Sequence, residues 1–199
     1  MIVSASRKFV FAHIPKTGGI SIRAALEPFA DGQADAHLDT THETLPAFLA
    51  RHPEAKDHFK FAFVRNPWDR LGSFYFFARD VLAHALPQIQ AVDGVGGMLR
   101  ALDADAPWLR DLHIMRPQRD FLRDAGGALV ADFIGRFERL PADFAAACHR
   151  VGIAAPLQKR NAFAHPAYAQ CYDDWSRGFV AECYRQDIQE FDYRFEEAS

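Results

Sequence analysis

Short, mostly apolar runs alternate with stretches of helical spacing along this chain. Phe9, Val10, Phe11, Ala12 and Ile14 make the first run, interrupted by His13 and ended by Pro15. A Lys-Thr-Gly-Gly turn follows, and Ser21 to Phe29 then reads as an amphipathic helix stopped near Pro28. The second run, Phe59 to Val64, ends in Arg65. Asn66-Pro67 next opens a helix expected to reach about Leu86, since Asn is a good N-cap and Pro suits the first helical position. Asp124 to Gly127 reads as a turn before a third strand over Leu129 to Phe137. Glu43–Arg51, Leu140–Val151 and Trp175–Phe191 show helical spacing, whereas Asp93–Asp103, with three glycines, reads as a lid or a poorly formed helix. Strands alternating with helices predict an α/β fold: a sandwich with a mainly parallel central sheet flanked by helices.

Composition narrows the picture without changing it. At 199 residues and 49% hydrophobic, the chain has enough material for one core, and a single domain over 1–199 is expected. A formal charge of −3 argues against a general nucleic-acid binder, which usually carries a basic excess, but leaves room for a local basic groove. Cys148, Cys171 and Cys183 have neither metal-ligand spacing nor an even pairing pattern, so reduced thiols are expected. No apolar run approaches the ~20 residues that cross a bilayer. Met1 to Arg7 lacks the apolar centre of a signal peptide.

Chemistry concentrates at two strand ends. A glycine loop between strand and helix turns backbone N–H groups, here with Lys16 beside them, toward the helix N-terminus, which favours phosphate or sulfate. The order differs from the triphosphate-binding GxxxxGK[ST] pattern, because Lys16 precedes Gly18 and Gly19. Arg65 closes the second strand, where ligands of open α/β sheets bind, and its planar fork suits phosphate. Ser73, one to two turns into the next helix, is placed to share that phosphate. Each residue taken alone also reads as a plain turn, strand cap or helix-packing group.

Together the two segments, HIPKTGGIS at 13–21 and VRNPWDRLGSFY at 64–75, resemble the sulfotransferase family in its carbohydrate-modifying branch. The resemblance continues through RPQRDFL at 116–122, DFIGRFERLPADF at 132–144 and QDIQEFDYRF at 186–195. It implies a P-loop-like three-layer sandwich and a donor, 3′-phosphoadenosine 5′-phosphosulfate (PAPS), with 3′,5′-adenosine bisphosphate (PAP) as product. By resemblance the 5′-phosphosulfate lies on Pro15, Lys16, Thr17, Gly18, Gly19, Ile20 and Ser21, and the 3′-phosphate on Arg65 and Ser73. Lys159 and Arg160 are expected to add contacts to the donor nucleotide. Ile20 departs from the pattern, where the family often has Thr. Golgi relatives carry a membrane anchor and this sequence has none, so it resembles a soluble bacterial form expected in the cytoplasm.

The implied reaction is sulfuryl transfer to a hydroxyl, most simply on a glycan or glycolipid, without a metal. Lys16 is the expected cation at the bridging oxygen, where charge grows. The hydroxyl needs a base, and histidine titrates nearest working pH. Related sugar sulfotransferases place a base histidine in the interval that holds His42. His37 is the second candidate, while Glu43 is either the base itself or the group orienting His42. His13 reads as a packing residue beside the loop. Arg116, Gln118 and Arg119, with Arg110, His113 and Arg123 nearby, form either an acceptor-binding patch or a solvated face. The rival readings are a P-loop-like kinase using ATP, disfavoured by the loop order, and a noncatalytic nucleotide-binding module.

Overall fold

Four strands form one sheet in the order β1 (Ile2–Ser4), β2 (Phe9–Ala12), β3 (Phe59–Val64) and β4 (Phe133–Arg136). β1 and β2 run antiparallel, whereas β2–β3 and β3–β4 are parallel, with Phe11 opposite Phe61 and Phe63 opposite Gly135. The helices are α1 (Gly19–Leu26), α2 (Leu45–Arg51), α3 (Pro67–Asp80), α4 (Gly94–Asp103), α5 (Pro107–Arg110), α6 (Leu140–Arg150), α7 (Asp174–Cys183) and α8 (Arg185–Glu190). This computed structural model describes residues 1–31, 42–158 and 166–195. The chain divides into two units: Met1–Arg65 with Gln118–Asn161, and Asn66–Pro117 with Ala162–Ser199.

The first unit holds the sheet. Side chains alternate along a strand, so Phe9, Phe11, Phe61 and Phe63 share one face, where they pack with Ile22 and Leu26 of α1 and Phe144 and Ala147 of α6. Burying each of these rings contributes about 1.5–3 kcal/mol relative to exposure. The opposite face carries Val10, Ala12, Ala62 and Val64, buried as well. Both faces are buried, which is why β2 and the Phe61–Val64 part of β3 read as unbroken apolar runs. Gly135 answers to the same packing: a Cβ there would come 2.4 Å from Phe63 Cε1, so the ring of β3 lies directly over the β4 backbone.

β1 is an antiparallel edge strand that the apolar pattern did not suggest, being only three residues long. Its turn is held by Asp31, which accepts from the Ser6 amide at 2.8 Å and from the Ser6 hydroxyl at 3.2 Å. Those hydrogen bonds, led by the Ser6 amide, hold the Asp31 carboxyl below its usual range. The third strand is shorter than Leu129–Phe137. Leu129 forms only an isolated bridge with Arg123 and is exposed, so ordered pairing begins at Phe133.

The second unit is helical. Asn66 caps α3 by accepting from the Trp68 amide at 3.1 Å, and its amide nitrogen donates to the Arg194 carbonyl at 2.8 Å. α3 sends Trp68, Leu71, Phe74, Tyr75 and Ala78 into a core shared with Val95, Met98 and Leu99 of α4 and Val180 of α7. Arg70 is fully buried there, both terminal nitrogens donating to the Arg116 carbonyl at 3.2 Å.

Helices of this unit differ from the sequence pattern in extent or regularity. α3 stops at Asp80, where the Val81 amide closes onto the Phe77 and Ala78 carbonyls. α4 is a regular helix despite its glycines. Val95, Met98 and Leu99 lie on one stripe, and their burial outweighs the cost of about 1 kcal/mol per glycine. The expected helix over Trp175–Phe191 breaks at Tyr184, whose backbone leaves helical geometry while its hydroxyl donates to the Met115 carbonyl at 2.8 Å.

Candidate active site

The loop after β2 is built around two left-handed residues. Lys16 has φ 66° and Gly18 has φ 83°. Glycine takes that region freely, but a lysine there carries a strain of order 1–2 kcal/mol. The turn is pinned by Thr17, fully buried, whose hydroxyl donates to the Ile14 carbonyl at 2.9 Å. Gly18 is the N-cap of α1 and its carbonyl receives the Ser21 and Ile22 amides at 3.1 and 3.3 Å. The Gly19 and Ile20 amides come before those bonds and have no intrahelical acceptor, the usual condition of a helix N-terminus that receives an anion.

Both glycines are required by their neighbours. A Cβ on Gly18 would come 2.8 Å from Leu140 Cδ2 and 3.3 Å from Phe137 Cδ2. One on Gly19 would come 1.9 Å from Cδ2 and 2.0 Å from Nε2 of His13. The loop is thus flanked by the β4–α6 junction and by the His13 ring. Ser21 is buried and Ile20 is exposed.

Arg65 reaches the same loop from the end of β3. Its Nη1 donates to the Lys16 carbonyl at 3.2 Å, and its guanidinium carbon lies 3.9 Å from the centroid of the Phe137 ring. Its peptide is clamped by Gln118: the Arg65 N–H donates to Oε1 at 2.9 Å and Nε2 donates to the Arg65 carbonyl at 2.8 Å. Gln118 is fully buried and acts on the strand end as a further strand would. Burial, and then the Arg65 charge, lower the Lys16 ammonium from 10.5 to about 8. Two cations drawn together at reduced solvation favour an anion between them.

His42 stands beside His13, the residue whose ring covers Gly19. Its Nδ1 lies 3.2 Å from the His13 carbonyl oxygen, and the two rings are 4.7 Å apart. Glu43 is engaged by Arg51, with contacts of 3.1 Å from Nε and 2.5 Å from Nη2. The His13 ring is buried, and desolvation, followed by the nearby His42, holds it well below the ordinary histidine range.

The remaining expected residues fall in both units. Ser73 is half-buried on α3 of the second unit, and Arg116, exposed, belongs to that unit too. Arg119 is half-buried in the first unit. Part of the basic stretch is offset by acids: Arg110 pairs with Asp105 at 2.7 Å and with Asp111 at 3.3 Å. His37, Lys159 and Arg160 lie outside the described residues.

Phe137, which supports both Gly18 and Arg65, was not singled out by the sequence reading. The available signal was its position immediately after a strand that runs beside β3. Gln118 was singled out for an acceptor, but its amide is paired with the Arg65 peptide, which suits a positioning part.

A mostly parallel sheet with a cationic glycine loop at one strand end and a clamped arginine at the next is an α/β arrangement suited to an anion. Residues 1–94 match the model of the Sulfotransferase family, a stretch that carries the Lys16 loop, His42, Arg65 and all of α3. That stretch, a little under half of the chain, is similar to the sulfotransferase family, whose members move a sulfuryl group to a hydroxyl-bearing acceptor. No curated protein and no solved structure matches the chain. Among the described residues no helix is long and apolar enough to cross a membrane.

Proposed function

We propose that this chain transfers the sulfuryl group of PAPS to a carbohydrate hydroxyl, on a glycan or glycolipid, releasing PAP. Residues 1–199 act as one sulfotransferase domain of P-loop-like, three-layer design, working in the bacterial cytoplasm. The observation that carries this reading is the convergence of Lys16 and Arg65 on one loop, with the Lys16 ammonium lowered to about 8. A phosphosulfate and a neighbouring phosphate are the kind of ligand such a pair favours.

The 5′ end of the donor rests on the Thr17, Gly18 and Gly19 amides and on Lys16, with Pro15, Ile20 and Ser21 shaping the turn. Arg65 and Ser73 take the 3′-phosphate, with Lys159 and Arg160 beside the nucleotide. A Cβ at Gly18 would meet Leu140 and Phe137, and one at Gly19 the His13 ring, so the backbone of this cradle keeps its path only with both glycines. As the sulfur–oxygen bond breaks, negative charge grows on the bridging oxygen. An ammonium and fixed N–H dipoles there stabilise the transition state beyond the ground state. His42 removes the acceptor proton, with His37 and Glu43 as the other candidate bases. Arg116 and Arg119 contribute charge for the acceptor.

Two measurements test the proposal together. PAP at ~100-fold above its dissociation constant should stabilise the protein by about 2.7 kcal/mol in thermal unfolding, with no requirement for magnesium. Radiolabel from sulfur-labelled PAPS should appear on a saccharide acceptor. Stabilisation by ATP with magnesium and none by PAP would instead favour the kinase reading.

A further inference from the structure

The Nδ1 atom of His42 faces a main-chain carbonyl, that of His13, at 3.2 Å. A carbonyl oxygen only accepts, so Nδ1 carries the hydrogen and the neutral ring keeps its lone pair on Nε2. His13 sits between β2 and the glycine loop, three positions ahead of Lys16. Its ring stacks on Phe11 at 6.1 Å and its edge fills the space over the Gly19 backbone. One residue therefore meets His42 through its carbonyl and the donor loop through its ring.

We propose that His13 is a positioning residue that holds His42 as the Nδ1–H tautomer and fixes its Nε2 relative to the Lys16–Gly19 loop. The inference rests on the sulfuryl-transfer reading and adds to it the orientation of the base. In the transfer, His42 Nε2 takes the acceptor hydroxyl proton while the acceptor oxygen bonds to sulfur. The bond from sulfur to the bridging oxygen of the 5′-phosphate breaks, and that oxygen keeps the electron pair. His42 is then an imidazolium, and its bond to the His13 carbonyl becomes charge-assisted and stronger. It therefore stabilises the transition state more than the resting enzyme.

The His13 ring must stay uncharged for this to work, since a second cation 4.7 Å away would oppose the new charge on His42. Its environment provides for that. Burial comes first, and then His42 once it is protonated, Arg23 and the amino-terminal charge act in the same direction. Its own Nδ1 is buried without a hydrogen-bond partner, a setting that tolerates a neutral ring far better than an imidazolium.

Ring nitrogen-15 NMR of the histidine-labelled protein without ligands tests the tautomer directly. The expected result is a protonated Nδ1 and an unprotonated Nε2 on His42, assigned by loss of the signals in His42→Asn. The opposite tautomer, or rapid mixing of the two, overturns the proposal whatever the activity. His13→Phe keeps a ring over Gly19 and the carbonyl, and should retain kcat within about threefold. His13→Ala should lower kcat about tenfold or more through lost orientation, with a smaller change in the PAP dissociation constant. Equal kcat in the Ala variant and the parent would refute the positioning role. Absence of transfer to any acceptor, with the tautomer as expected, would instead fault the functional reading.

Discussion

Arg65 and Lys16, 49 positions apart in sequence, are joined by a hydrogen bond from the arginine Nη1 to the lysine carbonyl at 3.2 Å. The bond ties the end of β3 to the loop that follows β2, so the guanidinium and the ammonium are held by one backbone segment. Phe137 lies beneath the guanidinium, which limits where its planar fork can point. This arrangement suits the donor with two phosphorylated ends proposed above.

The two cations should separate kinetically. Lys16→Ala removes charge where it develops in the reaction and should lower kcat by a factor of about 100 or more, the scale of a lost electrostatic donor. Arg65→Ala should chiefly raise the PAP dissociation constant, by about tenfold or more, since a charge-assisted hydrogen bond is worth about 1.5–3 kcal/mol. Steady-state kinetics combined with calorimetric titration of PAP would check this. A Lys16→Ala enzyme with unchanged kcat would remove Lys16 from the chemical step.

The lowered Lys16 ammonium predicts a pH dependence of definite sign. In the folded protein it titrates near 8, against 10.5 when unperturbed, so between those values the unfolded chain binds more protons. Stability from this group therefore rises with pH across that window, and its cost is fully present below about pH 8. Lys16→Met should be more stable than the parent at pH 7, with the difference shrinking toward pH 10.5. Urea denaturation of both proteins at matched pH reads it. Affinity for PAP should fall above pH 8 as the ammonium is lost. A pH-independent stability difference would mean that Lys16 titrates normally.

Gly19 and His13 compete for one volume, which makes a coupled pair. Gly19→Ala puts a methyl 1.9 Å from the His13 ring, so the ring or the loop must move. A loss of about 1–3 kcal/mol is expected from such overpacking, together with weakened PAP binding. His13→Ala empties that space, so the double variant should be more stable than the sum of the single losses predicts. A thermodynamic cycle measures the coupling. Additive effects would show that the clash is relieved elsewhere.

Sequence reasoning reached the parts of this site that depend on local order. An apolar run, a glycine turn and an amphipathic stretch have one economical arrangement, and Asn66-Pro67 announces a helix start that α3 obeys. What it missed depends on contacts between distant segments. β1 is a strand only because β2 offers an edge and Asp31 ties its turn. α4 is helical because Val95, Met98 and Leu99 find a core, against the propensity of its glycines. Phe137 and the Gln118 clamp owe their parts to the parallel pairing of β3 with β4 and to a chain reversal 53 positions after Arg65. Tertiary contacts of that length leave no periodic trace along the chain.

The Gln118 clamp yields the last prediction. Its amide satisfies both polar groups of the Arg65 peptide inside the protein. Gln118→Leu has similar bulk but leaves a buried N–H and C=O without those partners, each costing about 1–3 kcal/mol. Gln118→Glu keeps an acceptor for the Arg65 N–H but loses the donor to its carbonyl, so an intermediate loss is expected. Because the disturbance falls on the backbone that carries Arg65, PAP affinity should drop about tenfold in the Leu variant. The kcat at saturating donor should change by less than about threefold, because Gln118 touches no reacting atom. An acceptor-binding role would give the reverse, an intact PAP affinity with a raised KM for the saccharide. Calorimetry with PAP and kinetics over both substrates separate the two outcomes.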